Sequence, residues 1–151
     1  MRVLALQAVL AEPPPSVSSS SDGVVVRTIA IREDQTLEQL HEALRLAFGW
    51  ADPHLYSFWP SGRFWDTDGD EYTAPVDLEE RGEHARSART PIAELRLRKG
   101  SSLAYLFDYG DEWHLFLEVV DAWPADDESC YPMLVEAEGT PPPQYAAVED
   151  E

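Results

Sequence analysis

The 151-residue chain predicts a single-domain α+β fold, an antiparallel or mixed β-sheet whose central hairpin (about 103–120) packs against one main helix (about 36–48). Three observations predict it. Residues 36–48 repeat apolar side chains at helical spacing behind a capping pattern. Residues 103–120 are two apolar, aromatic-rich runs on either side of a Gly-Asp pair, which reads as a β-hairpin. The length, with 44% hydrophobic and 11% aromatic residues, suits one core. The domain is expected to span residues 1–143, with an acidic tail at 144–151.

Val3 to Leu10 is apolar and β-compatible, and forms the first predicted strand. Residues 13–23 are dominated by proline and serine, which cannot bury a core and predict a mobile connection. Val24 to Ile31 is a β-branched second strand, in which period two places Val25, Arg27, Ile29 and Ile31 on one face. In the helix, Thr36 and Gln39 have capping-box spacing, Leu37, Leu40, Leu44 and Phe48 form the stripe, and His41 lies at its edge. Gly49 is placed to end the helix in a left-handed conformation. After Pro53, His54 to Trp59 is an aromatic strand that Pro60-Ser61-Gly62 turns into a short return at Arg63 to Trp65. Residues 66–89 lose periodicity and read as a charged loop, after which Thr90-Pro91 opens a single helical turn through Leu95.

The hairpin register is predicted from Gly110-Asp111 acting as a two-residue type II′ turn with Tyr109 opposite Glu112. Asp108 then faces Trp113, Phe107 faces His114, Leu106 faces Leu115, and Tyr105 faces Phe116. One sheet face carries Leu106, Trp113, Leu115 and Leu117, and the other carries Tyr105, Phe107, His114 and Phe116. Both are apolar, so the hairpin should be central and covered on two sides. Beyond Trp123-Pro124 the pattern is lost, and an extended tail of low internal stability is expected.

The net charge of −18 argues against nonspecific binding to nucleic acid or to an anionic membrane, because both need clustered cations. Its distribution is uneven: no lysine or arginine follows Lys99, while 13 of the 29 acids lie from Gly100 onward. Any electrostatically driven partner should be basic and meet this third. Cys130 is the only cysteine, so no intrachain disulfide or multi-cysteine zinc site can form, and a reducing cytoplasm is expected. The first residues lack signal-peptide architecture, and no 18-residue apolar run predicts a membrane span.

Several motifs occur in a fixed order. They are Arg27 in a strand, Leu40-His41 in a helix ending Phe48-Gly49-Trp50, His54-Leu55-Tyr56-Ser57-Phe58, Asp108-Tyr109-Gly110-Asp111-Glu112-Trp113-His114, and Tyr131-Pro132. In this order they resemble the plasmid pRiA4b ORF-3-like family, whose members also carry a transposon-passenger, TnpR-type label. The resemblance runs from residue 24 to about 143 and implies an α+β domain without an established activity, linked to mobile genetic elements. It singles out Arg27, His41, Trp50, His54, Asp108, Asp111, Trp113 and His114 as candidate binding residues. Two positions depart from the family pattern: Val26 stands where tryptophan is common, and Pro141-Pro142-Pro143-Gln144-Tyr145 replaces a motif of two prolines, acids and glycines. No serine-recombinase signature accompanies the label.

No catalytic residue, metal ligand or cofactor is assigned. His41, His54, His84 and His114 show no metal-pair spacing, and Asp66 to Glu71 imitates a calcium loop with its glycine misplaced. Asp108, on an apolar face, must find donors or shift its pKa upward. The first functional expectation is a non-enzymatic binding or adaptor domain presenting the cleft between the helix and the hairpin. The alternatives are an acidic inhibitor or nucleic-acid mimic in a basic protein site, and a metal-dependent enzyme using His41, His54, His114 and Asp108. The expected partner is another protein, with no direct nucleic-acid or membrane contact and no stated oligomeric state.

Overall fold

The computed structural model describes residues 1–11, 24–126 and 129–144. Eight strands form one sheet: β1 (Arg2–Leu10), β2 (Val26–Arg32), β3 (Tyr56–Trp59), β4 (Glu71–Thr73), β5 (Ala85–Ser87), β6 (Ser102–Phe107), β7 (Trp113–Pro124) and β8 (Met133–Glu138). Their spatial order is β5-β4-β3-β6-β7-β1-β2-β8, antiparallel throughout except for the parallel pair β4 and β5. Among the described residues, helix α1 (Leu37–Phe48) and the single turn α2 (Leu78–Arg81) complete the regular structure with two 3₁₀ turns, Pro75–Asp77 and Ile92–Leu95. The predicted fold class is therefore corrected. The molecule is mostly one large eight-stranded sheet with two short helices, not a smaller sheet packed against one main helix. Three strands lie where no strand pattern was visible, because β4 and β5 have three residues each and β8 is exposed at all six.

Helix α1 forms where its sequence directs. Thr36 and Gln39 close a reciprocal capping box, Gly49 ends the helix at φ 78°, and Leu37, Leu40, Leu44 and Phe48 are buried. Its first turn is also held from outside, since Leu37 N–H donates to Thr90 O and Glu38 N–H to Ala88 O. The hairpin forms too, but its register differs by one. Phe107 pairs with Trp113, Leu106 with His114, and Tyr105 with Leu115. The cause is the turn: Asp108 adopts φ 68° and Glu112 φ 59°, so residues 108–112 form a five-residue loop instead of a two-residue turn. The Asp108 carboxylate accepts from Gly110 N–H at 3.0 Å and Asp111 N–H at 3.3 Å, which stabilises a backbone conformation aspartate tolerates better than most residues.

This shift exchanges side-chain partners across the sheet. Leu103, Tyr105 and Phe107 now join Trp113, Leu115 and Leu117 in the main core beneath α1, together with Leu4, Leu6, Ile29 and Ile31. Leu106 turns to the other face, where it meets Trp59 and Ala104 under Phe64 and Tyr109.

The expected charged loop at 66–89 is likewise corrected. It contains β4, β5 and α2, fastened by Glu71, which is 1% exposed. Its carboxylate accepts from Ser57 Oγ at 2.6 Å and Arg81 Nη2 at 2.8 Å, and pairs with His84 Nε2 at 2.9 Å. The Arg81 guanidinium lies over the Trp65 and Tyr109 rings. Residues 63–65 form no strand, and β3 pairs with β4 instead of with a return at Arg63 to Trp65. Past Pro124 the extended-tail expectation fails at β8, which pairs with β2, and at Gln144, whose amide bonds both Asp52 N–H and Asp52 O at 3.0 Å. The 13–23 connection lies outside the described residues, and so does the tail beyond Gln144.

Candidate functional site

Five of the eight sequence-selected residues, His41, Trp50, His54, Asp108 and Trp113, gather around one side chain, Phe107 of β6. Trp50 stacks on Phe107 with ring centroids 4.8 Å apart and planes 3° from parallel, and leans on Trp113 at 5.3 Å. His54 meets the Phe107 ring edge-on at 5.7 Å, and its Nε2 lies 3.6 Å from Asp108 Oδ2. His41 stacks flat on Tyr56 at 3.6 Å, and its Nδ1 shares a 2.8 Å hydrogen bond with the Tyr105 hydroxyl. Burial lowers the His41 pKa to about 4, so the ring is neutral at pH 7. Burial also raises the Tyr56 and Tyr105 phenols, which stay protonated.

This packing fills the space between α1 and the hairpin. Trp50, Phe107 and Trp113 are at most 1% exposed, and the Trp50 and Trp113 indole N–H groups have no acceptor among the described residues. Leaving such donors unpaired costs about 1–3 kcal/mol each, which aromatic burial must offset. The cleft pictured from sequence is thus a core, and it presents little surface to a partner.

The remaining residues lie elsewhere. Arg27 is buried on β2 and donates to Val26 O, Ala47 O, Glu138 O and Gly139 O, tying the end of α1 to β8. Asp111 sits in the hairpin loop, where its N–H donates to Asp108. His114 points to the opposite sheet face, beside Phe64 at 4.3 Å and Glu112 at 3.2 Å. His41 and His114 therefore lie on opposite sides of the sheet, and the four residues named for metal chemistry do not form one cluster. Among the described residues, no group of three or more His, Cys, Asp or Glu is placed to hold a metal ion.

Sequence reasoning missed an exposed run of apolar residues. Strand β8 ends the sheet beside β2, and all six of its residues are exposed, including Met133, Leu134 and Val135. Leu46, on the outer side of α1, is 70% exposed. Along the outer side of α1 runs a groove of about 440 Å³ lined by Glu38, Gln39, Glu42, Ala43 and Leu46 and closed by Pro132, the residue before β8. A second hollow of about 250 Å³ shares Ala43, Leu46 and Pro132 and reaches Ile29 and Leu134. The run Met133-Leu134-Val135 was the available signal, but without alternation it showed no strand period.

Among the described residues no helix is long and apolar enough to cross a membrane. The fold resembles the crystal structure of a protein of unknown function, MM3350 from Methanosarcina mazei Go1. The TM-score is 0.72 at 19% identity, over 95% of this chain and 72% of that one. In sequence, the chain is 30% identical over 122 residues to the uncharacterized protein y4hQ of Sinorhizobium fredii (strain NBRC 101917 / NGR234). That match covers 80% of this chain and 58% of the relative, so the chain spans under two thirds of the relative's length. The model of one family, described as plasmid pRiA4b ORF-3-like protein, matches residues 18–147, and with the relative it shows that this chain belongs to the plasmid pRiA4b ORF-3-like family.

Proposed function

We propose that this chain is a non-enzymatic protein-binding module that takes up an extended segment of another protein as an additional strand along β8, with side chains of that segment seated in the groove beside α1. The observation that carries this reading is β8 itself: an edge strand with six exposed residues, three of them large and apolar. An edge strand offers unpaired backbone N–H and C=O groups, and proteins usually blunt such edges with lysine, proline or a cover. Within Met133–Glu138 there is neither lysine nor proline, and the edge is blunted by Glu136, Glu138 and the bulge opposite Thr28/Ile29 alone, which leaves the Met133-Leu134-Val135 run uncovered. Strand addition gains affinity from the backbone ladder and specificity from side-chain pockets.

The adaptor role expected from sequence thus moves from the filled cleft to the edge of the sheet. The plasmid in the family's description supports a role among products of mobile elements, and the single exposed Cys130 fits a reducing cytoplasm. A second reading, an acidic inhibitor in a basic protein site, draws on the absence of cations after Lys99. Replacing Asp126, Asp127 and Glu128 by their amides would slow association in that case.

The test is selection of binding decapeptides from a random display library, followed by affinity measurement on wild type, Leu46→Glu and Leu134→Glu. Both sites are exposed, so the variants should melt like wild type. Peptides that lose binding to both variants support the edge and groove as the docking surface. Peptides that bind all three proteins equally would place recognition elsewhere.

A further inference from the structure

We infer that the segment added to β8 is basic, alternating apolar residues with lysine or arginine. This inference rests on the strand-addition reading and specifies its partner. Residues directly opposite one another in a ladder share a sheet face. Leu134 pairs with Ile29 and Ala137 with Arg27, whose positions belong to the α1 side, whereas Glu136 pairs with Thr28 and Glu138 with Val26 on the other side. The outer edge of the sheet therefore turns Leu134 and Ala137 toward the groove and Glu136 and Glu138 away from it, with Met133, opposite Ala30, on the carboxylate side and Val135 at the bulge. An added strand alternates regularly past the bulge, so along Glu136–Glu138 every second side chain lies beside a glutamate.

Those two carboxylates lack a cationic partner among the described residues; Glu136 Oε1 only accepts from Thr28 Oγ1 at 3.3 Å. The acids at the groove rim differ. Glu42 is answered by Arg45 at 2.8 Å and Glu38 by Arg89 at 3.4 Å. Arg27, the cation closest in the ladder, is 8% exposed and spends its guanidinium on backbone carbonyls. No lysine or arginine follows Lys99, so the chain brings no cation of its own to this edge from its C-terminal third. A second copy of β8 would add two more glutamates per protomer and no base, which disfavours self-pairing. A lysine or arginine opposite each glutamate supplies the missing charge.

The experiment uses the full chain and fluorescent decapeptides of alternating valine-lysine, valine-serine and valine-glutamate, with a fourth peptide holding the lysines and valines in separate blocks. Affinities are measured on wild type, Leu134→Glu and the double variant Glu136→Lys with Glu138→Lys, whose melting is checked first. The inference expects alternating valine-lysine to bind about tenfold tighter than valine-serine. It also expects the glutamate reversal to weaken that peptide about tenfold and added salt to weaken it further. Equal binding of valine-serine or valine-glutamate, still lost in Leu134→Glu, would overturn the basic partner and leave the docking surface standing. Equal binding of the block peptide would also overturn it, since bulk charge alone would then suffice. If no peptide responds to Leu134→Glu, the strand-addition reading falls as well. A concentration-dependent dimer broken by Leu134→Glu would make a second copy the occupant and contradict the inference.

Discussion

The β6–β7 hairpin and strand β8 belong to one sheet yet present opposite physical cases. At the hairpin, Tyr105, Phe107, Trp113 and Leu115 are wholly buried, and the Trp50 ring covers the loop end of the ladder. At β8 no side chain is buried, although its backbone pairs with β2 along its length. Backbone pairing alone does not make an interior; what differs is whether a second layer covers the strand. Helix α1 buries Leu40, Leu44 and Phe48 in the core that holds the inner side chains of β6 and β7, but its outer face, with Leu46, is left beside β8 as surface.

The largest expected effect breaks the comparison on its buried side. Trp50→Ala removes the ring that stacks on Phe107 and leans on Trp113, and should cost about 3–5 kcal/mol in denaturant unfolding. A cost under 1 kcal/mol would mean the cluster is not the core described here.

Next is His41, whose folded pKa of about 4 lies below the ordinary value of 6.5. Between these values the unfolded chain binds the proton more tightly, so stability is fully present above pH 6.5 and is lost as pH falls toward 4. The loss reaches about 3 kcal/mol below pH 4. His41→Phe should flatten the acid limb of the stability profile relative to wild type. An unchanged limb would show that the ring does not titrate on unfolding.

Asp108→Ala follows, at about 1–2 kcal/mol, because it removes the acceptor of two loop amides at a residue with positive φ. Asp108→Asn keeps an acceptor and tolerates that φ, so thermal unfolding should show a smaller loss. Smallest is Leu134→Ser on β8, expected to change stability by no more than about 0.5 kcal/mol while acting on peptide binding.

How legible each region was in the sequence follows the same division. Helix α1 was readable because cap, stripe and terminating glycine agree, and each acts locally. The register of the hairpin differs by one residue from the sequence expectation because Asp108 and Glu112, and not Gly110, adopt positive φ. That single shift moved Leu106 away from the main core and brought Tyr105 and Phe107 into it. Strand β8 was unreadable because alternation arises only when one face is buried, and neither face of β8 is. The motif residues Trp50, His54, Asp108 and Trp113 do gather, but around Phe107 in a core or at its margin; the exposed hollow that β8 and α1 build between them has no local signature.

The most direct test of the central claim, that β8 is an open edge built to accept another strand, is amide hydrogen exchange with and without the alternating valine-lysine peptide. In the free protein, β6 and β7 amides should exchange only through global unfolding, while the β8 amides that do not face β2 exchange at nearly unprotected rates. Adding the peptide should slow exchange at those β8 amides and leave β3 to β5 unchanged. Strong protection of every β8 amide in the free protein, or slowing that appears at the helix–hairpin core instead of β8, would contradict it.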